Sequence, residues 1–211
     1  MNLPHSFTLP IDKLAAVFKS KSATYKFYWF LALIELVEEG HVELSKRKIF
    51  SRMISTSWYT INYFHISFGK QDNLQIAVER ILKEEKLNID EKRSKLETCL
   101  ENSTKKETIN QLFHFDTYVP YRFLTPWFPK NEAESDNEQM KRIISDSKFF
   151  ANETLYALHK DFISINPIWI SYIKSNAKIL KDFSYWNLSL FLQTRNPNVP
   201  DIPNKLIKPA I

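Results

Sequence analysis

Residues 27–34 read FYWFLALI and are apolar at every position. They lie between Thr24, a residue suited to capping the amino terminus of a helix, and Gly40, which can end one. A helix that is apolar on all sides is a buried one. The sequence therefore predicts a central helix from Tyr25 to Glu39, against which the rest of the domain packs.

Glycine is scarce throughout the chain. Only two glycines occur among 211 residues, Gly40 and Gly69, and each follows an apolar stretch with helical spacing. Glycine-rich phosphate loops, dinucleotide-binding motifs and tight hairpin turns need glycine at several fixed positions, so these are excluded. Proline is absent between Ile11 and Val119, which leaves room for several helices. We therefore expect an all-α fold, a multi-helix bundle.

The second half of the chain is less regular. Rings and prolines crowd residues 115–130, which predicts a proline/aromatic loop. Four acids within residues 130–138 predict an exposed acidic linker, and they are Glu132, Glu134, Asp136 and Glu138. We expect residues 1–211 to form a single helical domain, which that linker could subdivide. An extended proline-rich carboxyl-terminal tail is expected to follow the last helix, with Pro197, Pro200, Pro203 and Pro209.

Composition bounds the class of protein. Hydrophobic residues make up 44% of the chain, which excludes global disorder, and the net charge of +5 is compatible with a polyanionic partner. The single cysteine, Cys99, excludes an internal disulfide and any multi-cysteine zinc site. Residues Met1 to Thr8 lack a signal-peptide pattern, and the longest apolar run is shorter than a bilayer span. We expect a cytoplasmic protein without a membrane partner.

Catalytic motifs are not visible in the sequence. The five histidines are scattered, and no two are four residues apart, so a helical zinc pair is excluded. No nucleophile has a base at a recognisable spacing, and no cofactor or metal is predicted. A metal-dependent nuclease with a dispersed site stays as a third hypothesis.

Basic residues cluster at the start of the helix that Ser45 is expected to cap. The predicted basic helix face consists of Lys46, Arg47, Lys48 and Arg52. Such a row could lie along a phosphate backbone, or it could be an ordinary solvated face. Four aromatic residues follow on the same helix and could stack on bases or belong to the core, namely Trp58, Tyr59, Tyr63 and Phe64.

The proline/aromatic loop supports a different hypothesis. Its rings could dock on a partner protein, with Tyr121, Trp127 and Phe128 as the contact residues. Arg122 in the same loop could bind an anion, or it could satisfy backbone carbonyls and hold the loop down.

Three segments of the chain invite comparison with known families: ATYKFYWFLAL at 23–33, VPYRFL at 119–124 and RNPNVPDIPNKL at 195–206. They resemble SYKFxWFLAL, VPYRFL and RNPNVPxIxxKL of bacterial proteins that carry an HNH endonuclease domain. The segments occur in the order of that family and span nearly the whole chain.

The resemblance implies the helical amino-terminal region of such a protein. In the family the nuclease domain with its catalytic histidines follows the KL segment, and none of its catalytic residues can be placed on this sequence. We therefore expect a non-catalytic accessory module that binds DNA through the basic helix face, with Arg122, Arg195 or Lys205 adding to the surface. A separate nuclease subunit or self-association would then supply its partner. The alternative is a protein-interaction or dimerisation module that binds no nucleic acid.

Overall fold

The computed structural model of the protein describes residues 2–20 and 22–207. Over these residues the chain is mostly helical and includes a small antiparallel sheet. The α-helices are α1 (Ile11–Val17), α2 (Tyr25–Glu38), α3 (Lys46–Asn62), α4 (Asn73–Glu85), α5 (Arg93–Asn102), α6 (Lys106–His114), α7 (Val119–Phe123), α8 (Asp136–Asp146) and α9 (Pro167–Gln193). The strands are β1 (Glu43–Ser45), β2 (Tyr156–Leu158) and β3 (Phe162–Ile165). Short 3-10 helices occupy Phe115–Thr117, Thr125–Trp127, Phe150–Asn152 and Pro203–Lys205.

Helix α2 is the central helix that its apolar sequence predicts. Every residue from Phe27 to Val37 is buried except Glu35, and the helix packs between α9 and α3. Its rings interlock with neighbouring elements, as Phe30 stacks on Phe123 of α7 with ring centroids 5.8 Å apart. Buried residues from all parts of the chain join this helix in one hydrophobic core.

Helix caps fall largely where short polar side chains allow them. The Ser45 side chain accepts a hydrogen bond from the Lys48 amide, which confirms the predicted cap, and the Asp72 carboxylate caps α4 by accepting one from the Leu74 amide. Thr24 differs from the prediction, because its side chain forms no capping hydrogen bond. Its own amide instead donates to the Asp72 carboxylate at 2.8 Å, which ties the start of α2 to the start of α4.

The sheet corrects the expectation of an all-α fold. The strands are ordered β1-β3-β2, and both pairings are antiparallel, with Leu44 and Leu158 each opposite Ile163. Sequence periodicity predicts a helix over residues 154–164, where the structure has β2 and β3. The strands are only three or four residues long and β2 is buried at every position, so an alternating pattern is too short to recognise.

The predicted acidic linker is ordered by its own charges. Ser135 and Glu138 form a reciprocal capping box at the start of α8. Glu134 accepts two hydrogen bonds from Arg142 at 2.7 Å, and these bonds lower the pKa of Glu134 to about 2. Two of the four acids, Asp136 and Glu138, therefore lie in the first turn of α8.

The proline-rich tail folds back on the bundle as far as the structure describes it. Ile202 and Leu206 are buried, and the Thr60 hydroxyl donates to the Lys205 carbonyl oxygen at 2.9 Å. The expectation of an extended tail is thus corrected up to residue 207, because two apolar side chains anchor this segment to the core. Residues 208–211, with Pro209, lie outside the described residues.

Candidate nucleic-acid interface

The first two cations of the predicted basic helix face are held inside the chain. Lys46 is buried, and its ammonium lies 2.7 Å from a carboxylate oxygen of Asp116. Arg47 donates through Nε and Nη2 to the Leu100 carbonyl oxygen, at 3.1 and 2.9 Å, and also to that of Ser103. Arg47 thereby binds the last carbonyl groups of α5, where a cation is favoured.

Arg52 is the centre of an ion-pair network. Its side chain reaches three carboxylates, those of Glu35 at 3.3 Å, Glu39 at 2.6 Å and Glu97 at 3.1 Å. Only 8% of the residue is exposed. Two of the glutamates come from α2 and its carboxyl-terminal cap, and the third comes from α5. The guanidinium therefore joins three helices, through charge-assisted hydrogen bonds to Glu35 and Glu39 and an ion pair with Glu97.

Arg93 of α5 completes this network from the solvent side. It binds Glu35, donates to Glu97 at 2.9 Å and donates to the Thr56 hydroxyl at 2.9 Å. The hydrogen bond from Arg52 lowers the pKa of Glu39. Burial alone would lower the pKa of Arg52, but the bond to Glu39 and the nearby carboxylate charges raise it.

The prediction of an open row of four cations is therefore corrected. Lys48 is the most available of them, and its ammonium contacts the His41 imidazole at 2.9 Å. The sequence carries a signal for the others: Glu35 and Glu39 lie four residues apart on one side of α2, so they share a face that can meet a cation. Sequence alone does not show that α3 packs against that face, because the pairing of the two helices is tertiary.

The predicted docking residues belong mainly to the core. Trp127 and Phe128 are each only 6% exposed. The Trp127 indole donates to the Glu153 carbonyl oxygen at 2.9 Å, and the Trp169 indole donates to the same oxygen at 3.0 Å. Trp127 and Phe128 therefore hold the 3-10 segment against the bundle and offer little surface to a partner. Tyr121 is half-buried.

The carboxyl-terminal end of α3 has the opposite character. Tyr59 and Tyr63 are four residues apart, and their rings stack with centroids separated by 4.5 Å at an interplanar angle of 14°. The Phe64 ring meets both edge to face, at 5.2 and 5.1 Å. The helix therefore ends in an aromatic cluster in which the Tyr63 ring, 48% exposed, is accessible to solvent.

A left-handed residue fixes the shape of this helix end. His65 has a φ of 52°, which turns the chain so that the Ile66 amide donates to the Thr60 carbonyl oxygen at 3.1 Å. Ile66 and Phe68 then return to the core. The rings stay outside because the backbone turns inward directly after them.

Two cations predicted from the sequence flank this turn. The Lys205 ammonium lies 5.8 Å from the centroid of the Phe64 ring. The Arg195 guanidinium lies 3.6 Å from the centroid of the Phe191 ring, next to Gly69. We call Tyr59, Tyr63, Phe64, Arg195 and Lys205 together the aromatic–basic surface.

Asn196 fastens the two chain segments that carry this surface. Its carboxamide oxygen accepts the Ser67 amide at 2.9 Å, and its nitrogen donates to the Ser67 carbonyl oxygen at 2.8 Å. The segment after α9 therefore runs beside the turn after α3 in a fixed register. The individual residues of the surface are visible in the sequence, but their assembly needs this long-range pairing.

Metal ligands do not cluster in the part of the chain that the structure describes. Within residues 2–20 and 22–207, no group of three or more histidine, cysteine, aspartate or glutamate side chains could hold a metal ion. None of the helices in these ranges is long and apolar enough to cross a membrane.

Comparison with protein-family models, with curated proteins and with solved structures finds no match to this chain.

Proposed function

We propose that this chain is a non-catalytic module that binds single-stranded nucleic acid on the aromatic–basic surface. The observation that carries the proposal is the stack of Tyr59 with the exposed Tyr63, joined by Phe64, whose ring centroid lies 5.8 Å from the Lys205 ammonium. Stacking of bases on aromatic rings, with cations tracking the phosphates, is how proteins bind single strands without reading their sequence.

The charges around the surface favour a polyanion. Among the described residues neither Arg195 nor Lys205 forms an ion pair with a carboxylate: Arg195 donates to Thr194, and Lys205 donates to backbone carbonyl oxygens. Two of the nearby acids are occupied, and a third, Asp90, is exposed and acts on the Tyr59 hydroxyl through its charge. Asp72 is buried and accepts two amides, and the Asp201 carboxylate accepts from Asn204 at 2.7 Å.

The proposal also includes a role beside an HNH nuclease in the cytoplasm. The partner of this chain would be a separate nuclease subunit or a second copy of the chain itself. Its support is the resemblance of residues 23–33, 119–124 and 195–206, two of which build the fold. Residues 23–33 lie mainly in α2, and the Pro120 carbonyl oxygen accepts the buried Tyr156 hydroxyl at 2.6 Å. The third segment carries Arg195 and Lys205, so it is the one that reaches the proposed surface.

The protein-interaction alternative has less support. Its hypothesis depends on an exposed proline/aromatic loop, and Trp127 and Phe128 are buried. Substituting them would unfold the segment before it could report on a partner.

The test is fluorescence anisotropy of the whole chain with a labelled oligothymidine of about 12 nucleotides. Tyr63→Ala should weaken binding at least about 5-fold, because one stacked base contributes about 1–3 kcal/mol. Trp186→Ala is the matched control, since Trp186 is another exposed aromatic residue, 50% exposed on α9, and is not one of the residues that define this surface. Arg195→Gln and Lys205→Gln should each reduce the salt slope by about 0.7, while Lys178→Gln, at an exposed position of α9, should not.

Two results would contradict the proposal. One is the absence of binding at roughly 50 mM salt. The other is equal affinity of the Tyr63→Ala and Trp186→Ala variants, which would show that the exposed tyrosine is not part of the contact.

A further inference from the structure

A cavity of about 600 Å³ lies on another part of the molecule, between α1, the start of α2, α7 and the start of α8. It shares no residue with the aromatic–basic surface, so its ligand is independent of the proposed function. Its volume is within the range of small-molecule sites, about 300–1,000 Å³. The described part of its lining combines aliphatic side chains with two cations and three tyrosine rings.

Arg122 is the more accessible of the two cations. Its guanidinium lies 4.9 Å from the centroid of the Tyr118 ring, and its Nε donates to the Tyr121 hydroxyl at 3.2 Å. Neither terminal nitrogen has a hydrogen-bond partner among the described residues. The two rings therefore fix the plane of a guanidinium whose outer edge is available for a two-pronged contact with a phosphate.

Lys26 is the second cation, and it is half-buried in the wall. Its ammonium donates to the carbonyl oxygens of Val17, at 2.8 Å, and of Ser20. A lysine ammonium has three donors, so one remains for a ligand. Burial lowers the pKa of Lys26, and an anion in the cavity would stabilise its charged form.

Acids in the described lining offset only part of these charges, since the pKa of Asp136 is lowered first by its hydrogen bond from Lys130 and to a smaller extent by the charge of Arg122. Asp136 is the one carboxylate among the described lining residues, and it pairs with Lys130 at 2.6 Å. Among the described residues, the lining thus contains two cations and one acid that is already paired. Tyr118, Tyr121 and Tyr25 add flat surfaces on which a planar ring can lie.

We propose that this cavity binds a small aromatic phosphate of the nucleoside monophosphate class. The phosphate contacts Arg122 and the remaining donor of Lys26, and the planar ring lies against the tyrosines. An anion without a ring would leave the aromatic wall unused, and an uncharged ring would leave both cations unpaired.

Isothermal titration calorimetry with adenosine monophosphate, adenosine and inorganic phosphate tests this on the whole chain. We expect the monophosphate to bind more tightly than either fragment. Arg122→Gln should weaken its binding at least about 10-fold, since a charge-assisted bidentate contact is lost. Arg80→Gln is the matched control, because Arg80 is an exposed arginine of α4 outside the cavity.

Tyr118→Ala is a second variant, on the ring side of the cavity, and it leaves the core intact because Tyr118 is exposed. It should weaken binding of the monophosphate more than binding of inorganic phosphate, because the stacking surface is lost while the Tyr121 hydroxyl still accepts a hydrogen bond from Arg122. The proposal is overturned if the monophosphate shows no binding up to about 1 mM, or if adenosine binds as tightly as the monophosphate. Equal affinity of the Arg122→Gln and Arg80→Gln variants would also overturn it.

Discussion

The two ends of α3 differ in whether neighbouring elements bind the functional side chains that lie there. At the amino-terminal end Lys46, Arg47 and Arg52 are bound by carboxylates or carbonyl oxygens of neighbouring elements. At the carboxyl-terminal end Tyr63 is exposed and Tyr59 and Phe64 are half-buried, and the flanking cations have no ion pair with a carboxylate among the described residues. The number of basic residues in a segment of sequence therefore does not give the charge that the folded surface presents to a partner.

The difference arises from the elements that pack against each end. The first turns of α3 lie beside α2 and α5, which bring Glu35, Glu39 and Glu97 to Arg52. The last turn faces a tight reversal of the chain and the segment after α9, which bring backbone amides and carbonyl oxygens instead. Substitutions at Arg52, at the two glycines and at Arg195 test this contrast.

Arg52→Ala should have the greatest effect. Removing the guanidinium takes the arginine from Glu39 and leaves Glu35 and Glu97 with Arg93 alone, which should cost about 3 kcal/mol in the free energy of unfolding. Urea denaturation followed by circular dichroism measures it. Arg80→Ala is the control, since Arg80 is 58% exposed and its single pair with Glu107 should contribute less than about 1 kcal/mol.

The Arg52→Ala variant also tests whether the amino-terminal end of α3 contacts the oligothymidine. At a temperature where Arg52→Ala is folded, its affinity for the oligothymidine should equal that of the unchanged chain. Unchanged stability together with a loss of affinity would mean that Arg52 contacts the ligand, and the assignment of the two ends would have to be reversed.

A smaller effect is expected from the two glycines. Both have positive φ, 92° for Gly40 and 103° for Gly69, but a Cβ on Gly40 would meet nothing within 4 Å. A Cβ on Gly69 would lie 3.0 Å from Nε of Arg195. In urea denaturation, alanine should therefore cost about 1 kcal/mol at Gly40 and about 2 kcal/mol at Gly69, where displacement of the guanidinium adds to backbone strain.

Arg195→Ala provides the internal check for Gly69. In that background the Gly69→Ala penalty should fall to the value found for Gly40→Ala, because only the strain remains. A penalty that is the same with and without Arg195 would show that the guanidinium does not rest on this glycine.

The effect of pH on the contribution of the Glu39–Arg52 contact to stability should be smaller than the effects of these substitutions. The hydrogen bond from Arg52 holds the pKa of Glu39 below its ordinary value of 4.5. A carboxylate whose pKa is lowered by folding stabilises the protein above the unfolded pKa and loses that contribution as the pH falls through the folded one. The difference in unfolding free energy between the unchanged chain and Arg52→Ala should therefore become smaller as the pH falls from about 6 to about 3.

Urea midpoints at these two pH values measure this difference. The corresponding difference for Arg80→Ala should stay nearly constant, because its ion pair is exposed. A difference for Arg52→Ala that does not change with pH would show that Glu39 is not held by this arginine.

The helices were largely predictable, and the reason is local. The apolar run of α2 and the caps Ser45 and Asp72 depend on residues within a few positions of each other, so the sequence displays them directly. The sheet was not predictable from pattern, because β1 pairs with a strand more than a hundred residues away and each strand is very short.

For the candidate surfaces, too, the residue types were predictable from the sequence and their arrangement was not. Arg195, Lys205 and the aromatic residues of α3 were identifiable by type, and so was Arg122. Which of them lie together was not, since Asn196 joins segments far apart in the chain and the cavity lies between α1, α2, α7 and α8.

A mostly helical chain built around one buried helix can be read from the order of the residues, because helix signals and side-chain polarity act over short distances. The charges and rings that a partner can reach cannot be read in this way and depend on the folded arrangement. A cation is neutralised by whichever acid or carbonyl the fold brings within hydrogen-bond distance, and that neighbour is set by packing between elements remote in sequence.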